Sequence, residues 1–225
     1  MGGFNMIENL SIVISSCLNK PNRKIYLMET IKSLRDNFGD VEILIGFDKY
    51  GKDIDGVKCY IHEKGLGHSW NWGIDNASNE YILQIEDDWK FTIKDNDIGF
   101  SHEEFNKKIE IIKEYDGIYR FGNLLENPSW INGVLKFKTE YDIFYELKRT
   151  DKYMCNDFLM YYYSNQPHMK KRDLHCRIGY YSESVPPHVV ETNMCKNYYH
   201  SNKRVFCSSS EDFDFIHLGE ISARK

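Results

Sequence analysis

The chain has 225 residues, of which 41% are apolar and 28% charged, with a net charge of −5. That length holds one sizeable core or at most two small ones, and a content of five prolines leaves little room for a long disordered linker. Lys170-Lys171-Arg172 is a small basic cluster, not the basic stripe that a polynucleotide partner needs, so nucleic-acid binding is not expected.

The six cysteines, Cys17, Cys59, Cys155, Cys176, Cys195 and Cys207, form no C-x-x-C pair, which removes zinc-ribbon and thioredoxin-like readings and suggests reduced thiols. No apolar run approaches the roughly 18 to 20 residues of a membrane span, and no charged segment followed by a long apolar one opens the chain. Met6 stands where a myristoylation signal wants Ser or Thr. The expectation is a cytoplasmic protein without a transmembrane segment.

In chain order, Ser11 to Cys17 is a short β-branched run followed by the breaker Asn19-Lys20-Pro21, hence a buried strand. Leu27, Ile31, Leu34 and Phe38 recur at helical spacing and Gly39 closes that helix. Val41 to Phe47 is a second strand, ending at Asp48, and Val57 to Ile61 a third. Gly65-Leu66-Gly67 leads into a helix through Ser69, Asn71 and Ala77, and Glu80 to Ile85 makes a fourth strand. A β-α-β-β-α-β order with apolar strands implies a mostly parallel sheet covered on both faces, with ligands at the carboxyl ends of its strands.

The fourth strand ends in Glu86-Asp87-Asp88-Trp89. Three adjacent carboxylates repel one another, and a strand tip carrying them suits a divalent cation, Mg²⁺ or Mn²⁺, held by one or two carboxylates and a substrate's phosphates. A solvated acidic turn is the other reading. Ser15, Asp48 and the three acids fall at strand carboxyl ends and should share one rim with Gly65 and Gly67, whose helix N-terminus offers amide donors to an anion. The glycine spacing is not G-x-G-x-x-G and no Walker-type lysine follows, so dinucleotide and P-loop readings are weak.

In the second half, Glu103 to Tyr115 has helical spacing, Ile118 to Phe121 reads as a strand, and Val134 to Lys138 pairs with Tyr141 to Tyr145 as a hairpin. Phe158 to Tyr163 reads as a further strand, with Lys170 to Cys176 as a helix after it whose Lys171, Arg172 or Arg177 could meet a diphosphate. Pro186-Pro187 opens a helix carrying Glu191, and Asp214 to Gly219 is a late strand carrying His217. Aromatics reach 15%, with sixteen tyrosines, which is weak support for sugar stacking and equally consistent with packing. Trp89, beside the acids, could exclude water.

The first strand, Asp48, the Gly65-Leu66-Gly67-His68-Ser69-Trp70-Asn71-Trp72-Gly73 segment and the strand ending Glu86-Asp87-Asp88-Trp89 together resemble nucleotide-sugar glycosyltransferases of the GT-A fold, particularly family 2-like members. Gly67, Asn71 and Ala77 occupy the places of the glycine, the asparagine and the small residue that precede the acidic motif in that family. The resemblance implies an α/β fold: a Rossmann-like, mostly parallel central sheet flanked by helices, with a smaller mixed region on the acceptor side. It implies one domain, with a nucleotide-sugar-binding half over about 1–95 and an acceptor half over about 96–225.

The same resemblance implies that Asp88 is the main metal ligand at the so-called DXD position, with Asp87 contacting the ribose or the metal. Whether Glu86 or Asp87 makes the ribose contact stays open. Ser15 and Asp48 would line the nucleotide pocket, with Gly67 and Asn71 beside them. Only one carboxylate follows the second strand, in Gly46-Phe47-Asp48, where family members often carry two, so base specificity is open. A late histidine, here His217, would return to the metal or diphosphate. Glu191 would be the general base that takes the acceptor proton, with Asp157 as its rival.

The expected function is transfer of a sugar from a nucleotide-diphosphate sugar to an acceptor hydroxyl of a glycan or glycoconjugate, with Mn²⁺ or Mg²⁺ as cofactor. A sugar-phosphate nucleotidyltransferase is an alternative, although Cys17-Leu18-Asn19-Lys20-Pro21 lacks its glycine-rich loop. A non-catalytic carbohydrate-binding relative is another.

Overall fold

Apolar β-branched runs become strands, and the Pro, Gly and Asn positions between them become turns and caps. The computed structural model describes residue 7 and residues 9–93, 102–121, 134–138, 143–147, 165–207 and 213–219. The first half carries β1 (Leu10–Ser16), α1 (Pro21–Phe38), β2 (Glu42–Asp48), β3 (Lys58–His62), α2 (Leu66–Asn76), β4 (Tyr81–Glu86) and β5 (Trp89–Ile93). The second carries α3 (His102–Tyr115), β6 (Ile118–Arg120), β7 (Val134–Lys138), β8 (Ile143–Leu147), β9 (His168–Lys171), α4 (Leu174–Ile178), α5 (Pro187–Ser201), β10 (Val205–Cys207) and β11 (Phe213–His217).

A nine-stranded sheet has the order β3-β2-β1-β4-β9-β6-β10-β8-β7. The pairings of β1 with β2 and β4, of β2 with β3 and of β6 with β10 are parallel, so only β9 and β8 run against the other seven strands. The sheet is therefore mostly parallel, with its mixed part in the second half. Strand alternation divides the core: Ile12, Ile14, Ile43, Ile45, Leu83 and Ile85 pack with Leu27 and Leu34 of α1 and Ile112 of α3. Val13, Leu44 and Ile82 pack on the other face with Trp70, Ile74, Met194 and Tyr198. Both faces are covered, as a parallel sheet requires.

Helix α1 begins with Pro21, where a missing N–H costs nothing, and stops at Gly39, whose φ of 62° is left-handed and whose N–H donates to Arg35 O at 3.0 Å. Helix α2 lies so close to the segment after α4 that a Cβ on Gly67 would stand 2.0 Å from Ser182 O. Only glycine fits there.

Two expectations change, and one strand was not anticipated. Lys170 does not open a helix: His168–Lys171 is a strand laddered to β4 on one side and β6 on the other, and only Leu174–Ile178 is helical. Pairing in the middle of the sheet satisfies backbone groups on both edges and overrides local preference. The hairpin partner of Val134–Lys138 begins at Ile143, two residues later than the pattern suggested. Trp89–Ile93 is a strand of its own, paired antiparallel with β11 in a separate two-stranded sheet. The expected strand Phe158 to Tyr163 lies outside the described residues. Among those residues, no helix is long and apolar enough to cross a membrane.

Candidate active site

The carboxyl ends of β1, β2 and β4 form one rim. In register, Ser15 lies beside Gly46 of β2 and Glu86 of β4, and in a parallel ladder such neighbours share a face. That face is the one α2 covers. Asp48, at the end of β2, accepts a hydrogen bond from Gly65 N at 3.1 Å and so ties this rim to the start of α2. Gly67 lies in the same first turn.

Asn71 is buried and faces the segment after α4. Its Nδ2 donates to Tyr181 O at 3.0 Å and to Glu183 Oε1 at 2.9 Å, while its Oδ1 accepts from Tyr181 N at 2.9 Å. The side chain thereby fixes the wall opposite α2. His62 and Ser69 meet at 3.0 Å, yet the His62 Nδ1 accepts the Lys64 N–H at 3.1 Å, which puts the ring proton on Nε2 and makes Ser69 Oγ the acceptor. A serine nucleophile needs the opposite tautomer, so this pair has a structural role.

The acids divide between the two faces. Glu86 continues the β4 alternation toward the α2 and α5 side, and Asp87 turns toward α1. Asp87 is fully buried: Ser16 Oγ donates to its Oδ2 at 2.6 Å, Arg23 Nη2 lies 2.5 Å from its Oδ1, and Thr30 Oγ1 donates to its carbonyl at 3.0 Å. Asp88 Oδ2 receives Arg23 Nη1 at 2.5 Å and lies 3.2 Å from His217 Nε2. The alternative reading of the acids as a solvated turn fails, because Asp87 is fully buried and Asp88 is only 5% exposed. Strand β11 returns along β5 with His217 opposite Trp89, and Leu218 N donates to Asp88 O at 2.7 Å.

Burial, then the charges of Asp88 and Asp87, push the Glu86 carboxyl up to about 8, and Glu191 adds to that push. Burial also raises Asp87 to about 6, against the pull of Arg23 and Ser16. For Asp88 burial works upward, but the His217 hydrogen bond and the Arg23 charge prevail and hold it below its usual range. The crowded acids are kept tolerable by the Arg23 cation, the His217 contact and the hydrogen bond from Ser16.

The donor set fits a hard divalent cation. Asp88 Oδ1 is buried and no hydrogen bond reaches it among the described residues. The 3.2 Å between Asp88 Oδ2 and His217 Nε2 is close to the spacing of adjacent ligands about 2.1 Å from an octahedral ion. Among the described residues no three His, Cys, Asp or Glu side chains converge as a closed metal cage. Such a site would leave positions for phosphate oxygens and water, as Mg²⁺ sites at nucleotides do.

Glu191 sits on α5, and its Oε1 accepts a hydrogen bond from Asn165 N at 3.0 Å. Asp157 lies outside the described residues. Beneath Glu86, Gln84 belongs to a buried polar group in which Lys170 Nζ contacts Gln84 Oε1 at 2.8 Å, Tyr181 OH at 2.9 Å and His168 Nε2 at 3.1 Å. The expected diphosphate cations are engaged elsewhere: Lys171 faces Glu80 at 3.9 Å, Arg172 donates to Ala77 O at 2.5 Å, and Arg177 pairs with Asp116 at 2.5 Å.

Sequence reasoning missed Arg23, Ser16 and the Lys170 group. Arg23 did leave a signal, since a cation in the first turn of a helix runs against the helix dipole and asks for an anion nearby. Ser16, one residue after Ser15, points to the other face by alternation.

The mostly parallel α/β sheet with acids at the tip of its fourth strand is a fold shared with solved glycosyltransferase structures. Many solved structures are similar, three of which show the range. The TarS 1-349 crystal structure from S. aureus, in complex with UDP-GlcNAc, matches 94% of this chain and 60% of that one, at 11% identity and a TM-score of 0.57. GalNAc-T7 with UDP, GalNAc and Mn²⁺ matches 93% of this chain and 43% of that one, at 12% identity and a TM-score of 0.57. The mannosyltransferase PcManGT from Pyrobaculum calidifontis, with GDP-Man and Mn²⁺, matches 90% and 57%, at 9% identity and a TM-score of 0.51. The chain thus spans 60% or less of the length of these proteins, and at such identities the likeness is one of fold. No family model and no curated protein matches the sequence.

Proposed function

We propose that this chain transfers a sugar from a nucleotide-diphosphate sugar to an acceptor hydroxyl with the help of Mn²⁺ or Mg²⁺. The observation that carries this reading is the approach of His217 Nε2 to Asp88 Oδ2, 3.2 Å apart at the tip of β4, on the same rim of the sheet as Ser15 and Asp48. Similar folds hold UDP-GlcNAc, UDP or GDP-Man. A bound divalent cation would neutralise the charge that builds on the leaving diphosphate.

Asp88 and His217 would hold the cation, with Asp87 behind them fixed by Ser16. Ser15, Asp48 and the amide-rich start of α2 at Gly67 would receive the nucleoside and diphosphate, and Asn71 would keep the wall at Tyr181 in place. Glu86, on the same face of the sheet as Ser15 and Asp48, is the candidate for a donor hydroxyl. Trp89, partly buried beside His217, would help exclude water from the donor.

Glu191 would act as the general base of an inverting transfer. The Asn165 N–H orients one of its oxygens, and the other would accept the acceptor's hydroxyl proton. The donor half over about 1–95 and acceptor half over about 96–225 would divide these two tasks, with His217 of the second half reaching back to the donor's cation. The acceptor class is a glycan or glycoconjugate.

A panel of uridine and guanosine diphosphate sugars with Mn²⁺, read by release of the nucleotide diphosphate, tests the proposal. Release from at least one donor that Asp88→Asn abolishes supports it. No release from any donor, with water or a glycan acceptor, overturns it.

A further inference from the structure

Arg23 stands where the cation of the proposed function would have to stand. It is the third residue of α1, and its guanidinium forks across two neighbouring carboxylates, one nitrogen 2.5 Å from Asp87 Oδ1 and the other 2.5 Å from Asp88 Oδ2. The acids are almost fully buried, with side-chain exposures of 0% and 7%, while Arg23 retains 29%. Two buried, adjacent, uncompensated carboxylates would repel strongly, and the fork lowers that cost.

A guanidinium is charged at all accessible pH and has no lone pair to offer a metal, so it cannot join the ligand set. A divalent ion bound through Asp88 Oδ2 would sit within about 2.1 Å of an oxygen that Arg23 already contacts. The two cations would then share one carboxylate at close range and repel each other, which favours displacement of the fork. The long arginine stem, anchored on the first turn of a helix at the rim, lets the fork swing outward without moving the backbone, and a fork of N–H donors suits a diphosphate.

We propose that Arg23 is a built-in placeholder for the divalent ion: it neutralises Asp87 and Asp88 in the empty enzyme and is displaced by the metal onto the donor diphosphate. This rests on the metal-dependent reading above. Metal and nucleotide are coupled as a result, because metal alone displaces an ion pair without replacing it, whereas metal with a diphosphate gives Arg23 a new anion.

The test compares the binding of Mn²⁺ alone, by electron paramagnetic resonance of the free ion, in wild type, Arg23→Gln and Arg23→Lys, with and without uridine or guanosine diphosphate. Removing a unit charge this close to the ion should tighten Mn²⁺ binding without nucleotide by at least about 10-fold in Arg23→Gln. Arg23→Lys, which keeps the charge but loses the fork, should fall between and serves if Arg23→Gln does not fold. The nucleotide should tighten Mn²⁺ binding more in wild type than in Arg23→Gln. Unchanged or weaker Mn²⁺ affinity in a folded Arg23 variant overturns the placeholder and leaves the metal-dependent reading standing. No Mn²⁺ binding by wild type or variants, even with nucleotide, overturns the metal-dependent reading itself.

Discussion

His217 Nε2 lies 3.2 Å from Asp88 Oδ2, a contact made because β11 returns antiparallel along β5 and sets His217 opposite Trp89. The histidine comes from the far end of the chain, and the strand pairing fixes its position relative to the acids. If it serves as a ligand, His217→Ala should weaken Mn²⁺ binding in the presence of nucleotide diphosphate by about 10-fold or more. The melting temperature should change little, because His217 is 27% exposed. Calorimetry and a thermal melt check both halves. A variant with wild-type metal affinity would return His217 to a hydrogen-bonding role.

Glu191→Gln keeps the size of the side chain and can still accept the Asn165 N–H, but it cannot take a proton. Donor binding should survive while sugar transfer falls by about 10²-fold or more, the usual worth of a general base. Transfer kinetics and nucleotide titration on the same preparation test this. Near-normal transfer would remove Glu191 from the chemistry and give a retaining mechanism priority.

The first half of this fold was legible because β1, β2 and β4 are buried on both faces and so read as unbroken apolar runs between clear breakers. Ser15, Asp48 and the acids could be assigned to one rim for the same reason. The second half was not so legible. Lys170 read as the first residue of a helix, yet it lies fully buried in a strand between β4 and β6, next to Gln84 and Tyr181. A lysine in the middle of a sheet depends on long-range partners, which no local pattern encodes. Arg23 was missed similarly, its partners being reached only when β4 folds beside α1.

Helix α2 is clamped to the segment after α4 by Gly67 and Asn71. In Gly67→Ala the new methyl would meet the backbone carbonyl of Ser182, so the wall must move. The loss of stability should be about 1 to 3 kcal/mol, the usual cost of overpacking. Asn71→Ala, which strips three hydrogen bonds from a buried site, should also destabilise and should weaken nucleotide binding indirectly by freeing the wall. Denaturant unfolding and nucleotide titration separate the two effects. Wild-type stability in Asn71→Ala, with nucleotide binding lost, would make it a direct donor contact.

Glu42, at the start of β2, supplies a pH dependence away from the site. Burial works to raise its carboxyl, but Lys58, Ser11 and Ser78 outweigh that and hold it at about 2 against an ordinary 4.5. A folded-state value below the unfolded one means that this group stabilises the protein above about 4.5 and stops doing so as pH falls toward 2. Wild type should therefore exceed Glu42→Gln in stability at pH 6, with the gap narrowing steadily at lower pH. Urea unfolding of both proteins across that range checks the slope, and a gap independent of pH would contradict it.

The most direct measurement is calorimetric titration of the protein with uridine and guanosine diphosphate, in Mn²⁺ and in excess chelator. The account predicts that at least one of the two nucleotides binds in Mn²⁺ and that this binding disappears in chelator and in Asp88→Asn. Equal affinity in chelator, or no binding of either nucleotide with Mn²⁺ present, would contradict it.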